Sequence, residues 1–255
     1  MASFHLRSNS FPSQSHPVIN DVEDQLCRLK ASQEASTSTT SVCANLASLS
    51  ELHDGINNLI QKFSVQQALS HEQGQNWINE LLEGSLRLVD LCGFSREVVC
   101  FTKESIQELE SSIRRKADDI NAYVASTKKI NQMVNKCLKN LKSFNQNCAA
   151  LPEKDSDLKA IGSILKETEA LDFSVLKSVL IALSEANGSS KQRSWSSLFS
   201  KFVQTSRVSK KGTDNIDLKQ LKASEMNIQE IEEGLEALFR SLVKTRVSLL
   251  NALSH

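Results

Sequence analysis

The sequence predicts an all-α fold, an elongated antiparallel bundle of long helices with an irregular N-terminal tail. Three observations predict it. Leu81 to Phe101 holds twelve apolar residues in 21 and spreads them around a helix, as a segment inside a structure does. Only three prolines and eight glycines punctuate the 255 residues. Apolar residues recur at three- and four-residue intervals, with no sustained strand-like alternation.

Residues 1–17 are small and polar, with Pro12 and Pro17 breaking regular structure, and read as a disordered tail. Pro17 can open a helix at its first turn, and Val18, Val22, Leu26 and Leu29 then follow at helical spacing. The Ser/Thr run from Ser36 to Ser41 is a loop or a weak helix. A second pattern starts near Val42 and continues through Leu46, Leu49, Leu52, Ile56, Leu59, Ile60 and Phe63. Gln66, Gln67 and the stretch from Ser70 to Gln75 interrupt it.

The longest helix is expected from about Asn76 to Lys116. Its seam runs through Ile78, Leu81, Ser85, Leu88, Cys92, Ser95, Val99, Thr102, Ile106, Leu109 and Ile113, the spacing of sustained helix–helix packing. Gly84 and Gly93 lie inside it, each costing about 1 kcal/mol relative to Ala. Close approach of a neighbour or a kink would account for them. Another helix is expected over about 118–150, with Ile120, Val124, Thr127, Ile130, Val134, Cys137, Leu141, Phe144 and Cys148 on one stripe. A further one spans about 156–185 through Ile161, Ile164, Thr168, Leu171, Val175, Val179 and Leu183. Asn187-Gly188 is a stop signal. A short basic helix occupies about 191–206. The last runs over about 215–253, with Leu221, Ser224, Ile228, Ile231, Leu235, Leu238, Leu242, Thr245, Leu249 and Ala252 as its seam. The expected organisation is a tail, 1–17, and one bundle domain, 18–255, with no fixed-period repeat.

Composition narrows function more by exclusion than by assignment. Lys plus Arg and Asp plus Glu number 30 each, so the chain lacks the basic excess of a nucleic-acid binder. No apolar run reaches membrane-spanning length, and residues 1–20 hold no signal-peptide core. Their Ser-rich, acid-free composition faintly resembles a transit peptide. The expected location is intracellular, cytoplasmic or on a membrane surface, with a plastid destination fitting less well. The cysteines, Cys27, Cys43, Cys92, Cys100, Cys137 and Cys148, form no CxxC pair and read as reduced, buried, hydrophobic side chains. His5, His16, His53, His71 and His255 are scattered, mostly among polar residues. No nucleophile, phosphate-loop or metal motif is present, so no catalytic, cofactor-binding or metal-binding residue is nominated. Glu110, Asp118 and Asp119, with Arg114, Arg115 and Lys116, read as solvated helix faces.

Two segments carry a binding mechanism. Arg7-Ser8-Asn9-Ser10-Phe11-Pro12 matches RSxSxP, in which a phosphorylated Ser10 would be held by the arginine cluster of a 14-3-3 protein. Residues 186–213 contain Lys191, Arg193, Lys201, Arg207, Lys210 and Lys211 and, before Asp214, no acid. Trp195, Leu198, Phe199, Phe202 and Val203 share one helical face there. A basic amphipathic helix of this kind suits an anionic membrane surface or a calmodulin groove. It would equally dock its aromatic face on the bundle.

Five blocks carry a family resemblance: SNSFPSQSHPVINDVEDQLCRLK, ELLEGSLRLVDLCGFSREVV, QELESSIRRK, NKCLKNLK and IEEGLEALFRSLVKTRVSLLNALS. In this order they cover nearly the whole chain, with about 150–215 matching least. The chain resembles the plant BYPASS-like family. That resemblance implies a helical protein without known catalytic activity, linked to root and shoot development. It also implies a connection, through related helical proteins, with exocyst-type vesicle traffic. It supplies no catalytic residues. The resulting expectation is a noncatalytic interaction or scaffold protein. The alternative is a peripheral membrane or vesicle-traffic regulator working through residues 191–211.

Overall fold

The computed structural model describes residues 17–35, 39–115, 121–141, 156–184 and 218–254. Among them are seven helices and no strands: α1 (Pro17–Ala35), α2 (Thr39–Ile60), α3 (Phe63–His71), α4 (Asn76–Arg114), α5 (Asn121–Leu141), α6 (Ser156–Leu183) and α7 (Leu218–Leu253). Every one of them contributes to a single hydrophobic cluster. At about 1.5 Å per residue, the 39 residues of α4 extend nearly 60 Å.

Side-chain contacts fix the directions of the helices. Arg96 bonds Glu236, while Arg246 reaches back to Ser85, so α4 and α7 are antiparallel. Leu46 lies on Gly234 and His53 on Thr245, so α2 and α7 run parallel. Lys166 pairs with Glu80 and Glu169 packs on Gly84, making α6 parallel to α4. The long helices α4 and α7 thus oppose one another, as do α2 and α6. The inner four helices nevertheless form two parallel pairs, because α5 carries the chain from the end of α4 back toward the start of α6. Helix α1 covers α2 and α6, tied to α6 by Lys30–Glu167 and Gln33–Ser174. Helix α5 covers α4, with Lys129 5.8 Å from the centre of the Phe101 ring.

The expected seams are the core. Ile78, Leu81, Leu88, Cys92, Ser95, Val99, Ile106 and Leu109 of α4 are buried, and so are Trp77, Leu91 and Val98 beside them. This double stripe follows from α4 packing on α7, α6 and α5 at once. Every seam residue of α7 from Ser224 to Ala252 is buried.

Several expectations need correction. The polar stretch around Gln66, Gln67 and Ser70 is not simply a break. It forms α3, whose Val65 and Leu69, one turn apart, are its buried residues. Two apolar positions are too few to show a period. The turn after it closes at Gly74, whose φ of 86° suits glycine. Helix α2 starts at Thr39 rather than Val42, absorbing part of the Ser/Thr run. On α5, Tyr123 is buried and Val124 is exposed, one position away from the expected stripe. The cysteines were expected in the core. Only Cys92 is buried among the five described, while Cys27 and Cys100 are exposed and Cys43 and Cys137 half-buried. Each of the two exposed thiols sits one residue past a seam leucine or valine, where the helical turn faces water. The expected positions 142–150, the basic helix at 191–206 and the tail lie outside the described residues.

Leu88 sits in the α4 seam at the centre of the bundle. Leu88→Asp is expected to destabilise the fold by at least about 3 kcal/mol, because it replaces packed apolar volume with a carboxylate in a buried position that also lies near Asp172. Chemical denaturation followed by circular dichroism checks this, with an unchanged midpoint contradicting the packing.

Candidate functional site

The sequence-nominated positions Arg7, Ser8, Ser10 and Pro12, and Lys191, Arg193, Trp195, Phe199, Lys201, Phe202, Arg207, Lys210 and Lys211, lie outside the described residues. The structure instead brings together groups from three helices that the sequence reading had left apart. His53 sits on α2 between Leu52 and Ile56, and it is buried rather than among polar neighbours. Its Nε2 lies 3.0 and 3.1 Å from the two carboxylate oxygens of Asp172 on α6. Its Nδ1 lies 3.1 Å from Oγ1 of Thr245 on α7. A carboxylate only accepts, so Nε2–H donates to it. The threonine hydroxyl can serve Nδ1 as donor or acceptor.

This is the connectivity of an acid, a base and a hydroxyl nucleophile. Its surroundings differ from those of an active site. Thr245 is 6% exposed, and Asp172 is fully buried. The adjoining cavity measures about 30 Å³ and is otherwise lined largely by Ile56, Leu81, Leu88, Leu165, Leu242 and Leu249. Such a space takes about one water, whereas ligand pockets run to hundreds of Å³. The hydroxyl of Thr168, also on the cavity wall, has no partner, and neither amide atom of the fully buried Asn57 has one.

Glu169 on α6 forms the polar edge of the cavity. Its carboxylate is pressed onto Gly84, where an added Cβ would fall 2.0 Å from Oε1. Gly84 therefore answers to close approach, but of a side chain rather than of a helix backbone. Gly93 shows no such crowding, since the nearest Phe239 ring atom is 4.0 Å from its Cβ position. Burial pushes the Glu169 carboxyl up to about 7, with Asp172 and Glu80 adding to the rise and Arg87 and Lys166 opposing it. Burial also lifts the Cys92 thiol to about 12 and raises Cys43 and Cys137, so these thiols stay protonated and unreactive near neutral pH. On the α4 side of the cavity, the Arg246 guanidinium donates to the Leu82 carbonyl and, at 2.7 Å, to Ser85 Oγ.

Among the described residues no group of three His, Cys, Asp or Glu could hold a metal ion, and no helix is long and apolar enough to cross a membrane. The Glu110–Arg114 pair is the solvated i,i+4 contact expected from sequence.

The signal for the polar cluster was present in the sequence. Asp172 stands on the same helical stripe as Leu165, Thr168 and Val179, and His53 on that of Leu46, Leu49 and Ile56. A charge on an otherwise apolar face marks a buried partner. What the sequence could not give was the pairing across 119 and 192 residues.

The fold and this cluster define an all-α bundle that holds a histidine–aspartate–threonine cluster in its core. A model of the family described as Protein BPS1 matches residues 45–252, and the chain belongs to that family, the BYPASS-like plant family resembled by the sequence blocks. No curated protein and no solved structure matches it.

Removing one member of the buried trio should cost more than removing all of it. His53→Ala leaves Asp172 without its partner and is expected to lose about 3–5 kcal/mol, whereas His53→Leu with Asp172→Leu and Thr245→Val should come within about 1–2 kcal/mol of the parent. Urea unfolding of both variants decides between this and independent contributions. For Glu169 the folded state binds the proton more tightly than the unfolded chain. Its contribution is therefore full below 4.5 and is lost as pH rises through about 7. Glu169→Gln should flatten the fall in melting temperature across that window and be the more stable protein at pH 8.

Proposed function

We infer that this chain is a noncatalytic helical interaction protein of plant root and shoot development, acting through its surfaces. The observation that carries this reading is the enclosure of its best-arranged acid–base group: His53, Asp172 and Thr245 face a cavity of about 30 Å³. A hydroxyl 6% exposed beside a space of one water's size leaves no room for a substrate, and the trio instead ties three helices together. Family membership supports the developmental assignment. Partners would bind by helix packing, with a 14-3-3 protein as a candidate reader of phosphorylated Ser10.

The second reading is a peripheral membrane or vesicle-traffic regulator. It rests on the acid-free basic run at 191–211, which pairs Trp195, Phe199 and Phe202 with lysine and arginine. Calmodulin is the competing reader of the same run.

Affinity purification from plant tissue, comparing wild type with Ser10→Ala, tests the first reading. Expected are co-purifying proteins, with a 14-3-3 protein absent from the Ser10→Ala sample. A hydrolytic or transferase activity that disappears in Thr245→Val would overturn it. Co-sedimentation with anionic vesicles that weakens with salt, and with Lys201, Lys210 and Lys211 replaced by Glu, would favour the second reading.

A further inference from the structure

One face of the bundle is apolar, is covered by no other helix among the described residues, and is charged oppositely along its two edges. Helices α4 and α7 lie antiparallel, held by Arg96–Glu236 at one level and Arg246–Ser85 at another. On α7, Val243, Val247 and Leu250 form an i, i+4, i+7 stripe, and they are 37%, 48% and 41% exposed. Leu86 of α4 is 44% exposed, with Leu82 and Val89 half-buried beside it. Arg246 contacts Leu82 and Ser85, so the two apolar strips adjoin across the α4–α7 groove.

The flanks differ in sign. Beyond the α7 strip stand Arg240 and Lys244, both exposed, and residues 237–255 contain no acid. Beyond the α4 strip stand Glu83, Asp90 and Glu97, all exposed and seven residues apart, hence about 10 Å from one to the next on one face. Asp90 and Glu97 have no ion-pair partner among the described residues, and Arg240 and Lys244 hold only exposed pairs, with Glu236 and Asp54. Surface pairs of that kind are worth little and exchange readily.

We propose that this α4–α7 face binds a second copy of the chain. An apolar strip with one basic and one acidic edge complements itself under one symmetry operation. A two-fold axis lying in the interface and parallel to the helices sets each basic edge against the other copy's acidic edge. An axis across the helices would set like charges together. The α4–α7 register places Arg240 level with Asp90, so Arg240 of each copy meets Asp90 of the other. Lys244 falls between the levels of Asp90 and Glu83. The two α7 helices then run parallel, each lying over the other copy's α4, and Val247 of each copy packs on the Leu82–Leu86 strip of the other. An anionic vesicle could use the basic edge but would be repelled by the acidic one, and an acidic helix would face the same conflict on α4. The second copy uses both edges.

Sedimentation velocity and light scattering of the full chain test the proposal. With rising concentration the mass should pass from one 28.3 kDa chain to two. Arg240→Glu and Asp90→Arg should each shift that transition at least about tenfold upward in concentration, because each change alters two symmetric contacts. Combining them should bring it back close to the wild-type position. Val247→Asp should remove the dimer while circular dichroism remains unchanged. A single-chain mass at all concentrations, or charge reversals that fail to rescue one another, would overturn the proposal. So would a dimer indifferent to Val247→Asp, or Arg240-dependent binding to anionic vesicles without self-association.

Discussion

His53 has two ring nitrogens, and in this bundle each is served by a different helix. That requirement constrains the arrangement more tightly than the leucines do. Leucine seams tolerate sliding by a turn, since one leucine replaces another in the same hole. A buried imidazole cannot slide without leaving Asp172 stripped of its partner in an apolar interior. The trio therefore fixes the axial positions of α2, α6 and α7 relative to one another. Once these are set, Glu169 lands on Gly84 and positions α4 as well. The remaining helices, α1, α3 and α5, add cover to a four-helix arrangement already in register.

Most of the architecture was legible because long helices repeat their signal. The seam of α7 reads correctly from Ser224 to Ala252 at all nine positions, and that of α4 from Ile78 to Leu109 at eight of ten, with Ser85 and Thr102 half-buried. Short or two-sided elements were not legible. Helix α3 offers only Val65 and Leu69, and a pair of residues has no period. Cys27 and Cys100 were assigned to the core by residue type, yet they stand a single position off it. The parallel pairing of α2 with α7, and of α4 with α6, depends on contacts far apart in sequence, which local patterns do not encode.

The polar cluster shows the same division. Its members were visible singly, as a histidine and an aspartate on apolar stripes, but their convergence was not. Of the two accounts that the sequence left open for Gly84, close approach is the one the packing shows. The approaching group is a carboxylate, and it had no signature in the spacing of α4. The segments that sequence nominated for binding lie outside the described residues, and the cluster concerns how the bundle holds itself together.

The parallel union of α2 with α7 also bears on how the chain comes to be folded. Thr245 joins His53 across 192 residues, so the ring of core helices cannot close until α7 is available. During synthesis, α2, α4 and α6 would emerge with their leucine-lined concave side uncovered and with a histidine–aspartate pair half enclosed at its centre. Contacts of such long range slow folding and lengthen the life of open intermediates. Until α7 is made, a nascent chain of this design would keep that leucine-lined surface exposed, the kind of surface that invites association with other chains.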